Sequence, residues 1–214
     1  AMSADALVGP GPGHEGLIDL FENLLDYAST REAAAARLET RYRIRKDWAR
    51  LFNVLAVLRT TLEAGEQVEA LSVEMVRLAR EELSDPSAAL NTIMASFRSF
   101  PERLGFRAWI TELANETEAW PEVFDAIEQV IEAEEEGAQM RDLALWLGEL
   151  LVQHGGQGKR AISTFERVLA SDENNLPAMD ALETLYDQEN AIEPLRSLLS
   201  RRLKLAKEEE RIAI

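Results

Sequence analysis

Cysteine is absent, so the chain offers neither a disulfide framework nor a thiolate metal site. Histidine is scarce, with only His14 and His154 among 214 residues, which leaves a thin inventory of titratable groups from which to build a catalytic pocket. His14 reads as a solvated residue near the N-terminus, and His154 as a helix-end residue whose charge suits the helix dipole. No catalytic group, metal site or cofactor is assigned. No stretch approaches the roughly 18 consecutive apolar residues of a membrane span. The N-terminus lacks the basic flank and apolar run of a signal peptide, so a soluble, cytoplasmic protein is expected. Positive charge is also in short supply, with 23 Lys and Arg against 39 Asp and Glu and a net charge of −16. That balance opposes phosphate backbones and anionic lipid, which excludes nucleic acid from the expected partners.

The shortage of cations is sharpest between Arg107 and Arg141, where none occurs while acids accumulate from Glu112 to Glu136. A basic stretch runs from Arg37 to Arg50. Both read as solvated helix faces, the acidic run alternatively as a field that steers a basic partner. Three motif-like stretches carry no chemistry. Gly155-Gly156-Gln157-Gly158-Lys159 lacks the phosphate-loop spacing and the hydroxyl residue after the lysine. The Gly9, Gly11, Gly13 run has no preceding strand, and Asn115-Glu116-Thr117 matters as a glycosylation acceptor only in a secretory setting.

What is present is a repeat with a period of 72 residues. Leu38-Glu39-Thr40-Arg41-Tyr42 returns two periods later as Leu182-Glu183-Thr184-Leu185-Tyr186. Leu17, Ile18, Phe21, Leu24 and Leu25 align with Ala89, Leu90, Ile93, Ser96 and Phe97, and these with Ala161, Ile162, Phe165, Val168 and Leu169. Trp48 aligns with Trp120, Phe52 with Phe124, and the pair Gly65 and Gln67 with Gly137 and Gln139. The apolar spacing i, i+1, i+4, i+7, i+8 makes one stripe on an α-helix and does not fit strand alternation. A period of this length marks a helical array whose units cover one another's apolar faces.

Helices are predicted over 14–28, 30–43, 47–64, 66–83, 86–100, 102–117, 119–134, 137–154, 158–170, 175–188 and 191–206, with another beginning near Glu208. Residues 1–13 read as a flexible leader and 14–214 as one repeat domain. Ala1 ahead of Met2 and an end at Ile214 within a helical pattern suggest a piece of a longer repeat protein. Ser29 with Glu32 reads as a capping box, and Asp47 and Asp85 as N-caps, the latter ahead of Pro86. Glu134-Glu135-Glu136 and Glu208-Glu209-Glu210 read as acids at helix starts. Trp48 and Trp120 read as core.

The segment Ala144, Leu147-Gly148, Leu151, Gly155, Ala161, Phe165 and Val168, followed by Met179, Leu182 and Tyr186, resembles the tetratricopeptide repeat family. Asp172-Glu173-Asn174-Asn175 stands where the family has an Asp-Pro-x-Asn turn and lacks its proline. The resemblance spans most of residues 14–206. It implies an all-α, right-handed superhelical solenoid of antiparallel helix pairs, about eleven helices in all, acting as a protein-interaction scaffold. It also implies a ligand face on the A helices, the first helix of each pair, carrying Thr40, Arg77, Arg80, Glu112, Asn115, Glu149, Asp180 and Thr184. That set lacks the Lys and Asn cluster with which some members clamp a terminal carboxylate, so a peptide or partner helix is the expected ligand.

One position adds to that list. If Tyr42, Ala79, Ala114, Leu151 and Tyr186 are equivalent in successive A helices, five residues earlier stand Arg37, Glu74, Trp109, Trp146 and Ala181. A site that takes Arg and Glu in some repeats is not fully buried. Trp109 and Trp146 are therefore expected to be partly exposed, as aromatic anchors at binding surfaces are. The alternatives are self-association through open ends or exposed tryptophans, giving a weak homo-oligomer, and a regulatory module of an enzyme whose catalytic domain lies elsewhere.

Overall fold

The computed structural model describes residues 12–62, 65–135 and 137–212, in which eleven α-helices and no strand occur. The chain divides into two compact units, Ala1–Ser99 and Phe100–Ile214. The first holds α1 (Pro12–Leu24), α2 (Arg31–Arg45), α3 (Trp48–Thr61), α4 (Glu66–Glu81) and α5 (Pro86–Ser99). The second holds α6 (Leu104–Thr117), α7 (Trp120–Ala133), α8 (Ala138–Leu150), α9 (Gly158–Ser171), α10 (Leu176–Gln188) and α11 (Ile192–Ile212). The predicted leader falls largely on residues 1–11, outside the described residues, and the side chain of His14 lies outside them too.

The period is written into the backbone. Helices α3 and α7 start and stop 72 residues apart, as do α5 and α9, and α11 begins one period after α7. The turns repeat as well. Lys46, Glu118 and Asn190, each in the left-handed region at φ 54°, 56° and 53°, follow α2, α6 and α10. Ser84 and Gly156, at φ 51° and 53°, recur one period apart in the approaches to α5 and α9. Gly65 and Gly137 cap α4 and α8 with matching extended backbones. Within each unit, short connections of this kind fold a helix back on its predecessor.

Each unit is sealed by helix stripes. In the first, Leu38 and Tyr42 of α2, Leu51, Val54 and Leu55 of α3, and Met75 and Leu78 of α4 form one buried cluster. In the second, Phe106, Ile110, Phe124, Ile127, Leu143, Leu147, Phe165 and Leu182 are buried. One polar device appears in both. The Tyr42 hydroxyl donates to Glu22 at 2.5 Å, and the Tyr186 hydroxyl, two periods on, donates to Glu166 at 2.7 Å. Burial pushes the Tyr42 phenol up to about 12, with the Glu22 hydrogen bond adding to it. Burial and then the Glu166 hydrogen bond raise Tyr186 further.

Some expectations hold at the helix ends. Asp47 accepts from the Arg50 amide, and Asp85 from the Ala88 amide ahead of Pro86. Others are corrected. The Ser29–Glu32 capping box does not form: Thr30 is the N-cap, and its hydroxyl bonds back to the Leu24 and Tyr27 carbonyls, because the turn before α2 uses it first. Glu134 ends α7 rather than starting α8, since Gly137 sets the next start. No new helix begins near Glu208: α11 runs unbroken, because Leu205, Ala206, Lys207 and Glu208 are strong helix formers with no breaker among them. Helix α8 ends at Leu150, and residues 151–155 form a single π-helical turn. Trp48 and Trp120 are half-buried rather than core. Their phase points them at the edge of the stripe, where Trp120 stacks on His154 with ring centres 4.0 Å apart.

Candidate interaction surface

Helices α6, α8 and α10 commit their inner stripes to the core, and this fixes what they show outside. On α6 the buried set is Phe106, Ile110, Leu113 and Ala114, so Trp109 and Glu112 lie on the flank and rim. On α8 it is Met140, Leu143, Ala144, Leu147 and Leu150, which leaves Trp146 half-buried and Glu149 exposed. On α10, Met179, Leu182 and Tyr186 turn inward, so Asp180 and Thr184 are exposed. The five positions 42, 79, 114, 151 and 186 are all buried, and none of positions 37, 74, 109, 146 and 181 is.

Arg107 joins α6 to α8. Its guanidinium lies 4.9 Å from the centre of the Trp146 ring and pairs with Asp142. A cation over an indole face is held by the ring quadrupole, and here a carboxylate closes the other side. Sequence reasoning used Arg107 only as the edge of the cation-free stretch, and the signal available was that it is the last cation before the acids begin. Two of those acids are also paired: Asp125 and Glu128 of α7 converge on Arg160 of α9 at 2.7 and 2.5 Å while remaining solvent-exposed.

The remaining candidates are distributed as follows. Asn115 is exposed but accepts a 3.3 Å bond from the Trp120 indole. Asp180 pairs with Arg202 of α11 at 2.8 Å, and the Thr184 hydroxyl is turned back to the Asp180 carbonyl. In the first unit, Arg77 is exposed and Arg80 half-buried on α4, and Thr40 of α2 bonds its own helix at Ala36. Arg43 of α2 holds Glu74 of α4 at 2.5 Å. Arg107 therefore links α6, which carries Trp109 and Glu112, to α8, which carries Trp146 and Glu149, while Asp180 is drawn toward α11. No helix among the described residues is long and apolar enough to cross a membrane.

No family model and no curated protein matches the chain. Among solved structures it is similar to a crystal structure of the MamA protein, at 10% identity over 87% of this chain and 97% of that one, with a TM-score of 0.47. It is also similar to the structure MamA MSR-1 C2, at 12% identity over 84% and 99% of the two chains, with a TM-score of 0.41.

Proposed function

We propose that the chain is a non-catalytic protein-interaction scaffold that holds a peptide or partner helix on its A-helix surface, with Trp109 and Trp146 as anchors. One observation carries the reading: a position that escapes full burial in five successive A helices holds tryptophan in the adjacent pair α6 and α8. Large rings that are only half-buried suit a hot spot. Glu112 and Glu149 border the pair and favour a ligand with a basic flank. The resemblance to tetratricopeptide repeats points the same way, and the net charge of −16 argues against nucleic acid.

Affinity capture from cell extract with wild type beside a Trp109→Ala, Trp146→Ala double variant tests it. A protein retained by wild type and lost by the folded double variant is the expected result. Identical captures overturn the reading. Recovery of additional copies of the same chain alone, with solution mass rising with concentration, favours a self-assembling element instead.

A further inference from the structure

Helix α11 carries the repeat's sealing positions, and among the described residues no helix covers them. In the first unit, Leu51 and Leu55 of α3 share a buried cluster with Met75 and Leu78 of α4. One period on, Ile127 of α7 is sealed too, on a helix that packs against α8. Two periods on, the same phase puts Leu195 and Leu199 on α11. Leu199 is 43% exposed where Leu55 and Ile127 are 0%. Leu203, at the phase of Ile131, is 57% exposed against 2%. Leu195 and Leu199 floor a hollow of about 490 Å³ walled by α10 and by Arg202.

An apolar face alone names no occupant, but here the repeat does. The helix that covers this phase in the first unit is α4, whose inner ridge is Val68, Ser72, Met75, Val76 and Ala79. At its rim, Arg43 of α2 pairs with Glu74 of α4 at 2.5 Å. Two periods after Arg43 stands Asp187 on α10, so the sign at that point is inverted. Arg202 is already engaged by Asp180 and Glu183, at 2.8 and 2.5 Å. Asp187 is exposed and makes no ion pair among the described residues. We propose that the α10–α11 end binds an amphipathic helix in the place that α4 takes on α3, with its aliphatic ridge over Leu195 and Leu199 and a Lys or Arg against Asp187. The surface is separate from the Trp109–Trp146 pair and stands even if those rings bind nothing.

The probe is a synthetic peptide of residues 66–81 carrying Glu74→Lys, held helical by Ala70→Lys and a lactam between that lysine and Glu66, both positions being exposed in the chain, and measured by fluorescence anisotropy against the full chain. It binds saturably and about fivefold tighter than the same peptide with Glu74 kept, the difference between one attractive and one repulsive exposed pair. Leu199→Glu abolishes binding, and Asp187→Lys reverses the preference between the two peptides. Both variants keep the wild-type melting temperature, since both side chains are exposed. Should Leu199→Glu soften the fold, Leu203→Glu replaces it. Absence of saturable binding, equal affinity for both peptides, or binding indifferent to the leucine variants overturns the proposal. So does a concentration-dependent mass of the chain alone that Leu199→Glu removes, because a second copy would then be the occupant.

Discussion

Helices α4 and α5 of the first unit and α8 and α9 of the second are the same hairpin one period apart, yet they fill the space between the helices differently. The first places Val76 and Ile93 there, both wholly buried. The second places Gly148 and Phe165 at the same positions, and a Cβ on Gly148 would run into the Phe165 ring. A small residue on one helix is matched by a large one on the other. The period therefore preserves helix register and enclosed volume, while side chains trade size across the contact, as close packing demands.

The contrast extends to α3 and α7, where Phe52 is half-buried and Phe124 is sealed. Truncating the sealed ring removes its transfer energy and leaves a cavity, so Phe124→Ala lowers unfolding stability by about 3–5 kcal/mol. Phe52→Ala costs less than half of that in the same urea titration. Equal losses would erase the distinction drawn between the two units at this position.

Gly148→Val comes next, because it forces a branched side chain into the Phe165 ring and costs about 1–3 kcal/mol. The sharper form is the double change Gly148→Val, Phe165→Ile, which writes the first unit's solution into the second. Recovery of at least half the lost stability is expected. If the double variant is less stable than Gly148→Val alone, the two hairpins do not share an enclosed volume and the trade is illusory.

The tyrosines link the first and third periods and skip the middle one, where Ala114 and Met94 stand at the positions of Tyr42 and Glu22. Tyr42→Phe removes one buried hydrogen bond and costs about 1 kcal/mol near neutral pH. The folded phenol ionises at about 12 against 10.0 unfolded, so its contribution is complete below pH 10 and is lost as pH rises through about 12. The stability gap between wild type and Tyr42→Phe therefore narrows above pH 10, and a gap that widens there would contradict the assignment. Tyr186→Phe follows the same course, displaced to higher pH.

The helices and their period were legible because apolar residues at 3.6-residue spacing recur where the core requires them, and Asp47 and Asp85 announce their caps by type. Less could be read at the surface. Phase put Trp48 and Trp120 on the core stripe, but did not tell whether a neighbouring helix covers them. Arg107 chooses Asp142 and Trp146 across 35 and 39 residues of chain, a choice made by long side chains in space that no local pattern records. The eight residues of the implied ligand face were placed by alignment alone, and the exposure of all but the half-buried Arg80 follows simply from lying opposite a buried stripe.

The turns were the least legible part, and they give the smallest and cleanest comparison. Lys46, Glu118 and Asn190 adopt the same left-handed backbone one period apart, and of the three only asparagine is at ease there. Nothing in a lysine or a glutamate signals positive φ, so the strain is visible only once the backbone is known. Lys46→Gly and Glu118→Gly relieve the contact between Cβ and the carbonyl, offset in part by the greater freedom of an unfolded glycine, for a net gain of about 0.5–1 kcal/mol each. Asn190→Gly gains less, because asparagine already tolerates the region. The mirror change, Gly156→Ala at φ 53°, loses a similar amount even though no atom lies within 4 Å of the new Cβ. Thermal melts of the four variants should therefore rank Glu118→Gly and Lys46→Gly above Asn190→Gly, with wild type next and Gly156→Ala last. If Glu118→Gly melted below wild type while Asn190→Gly melted above it, some contact of the Glu118 side chain, rather than its backbone, would be setting the turn.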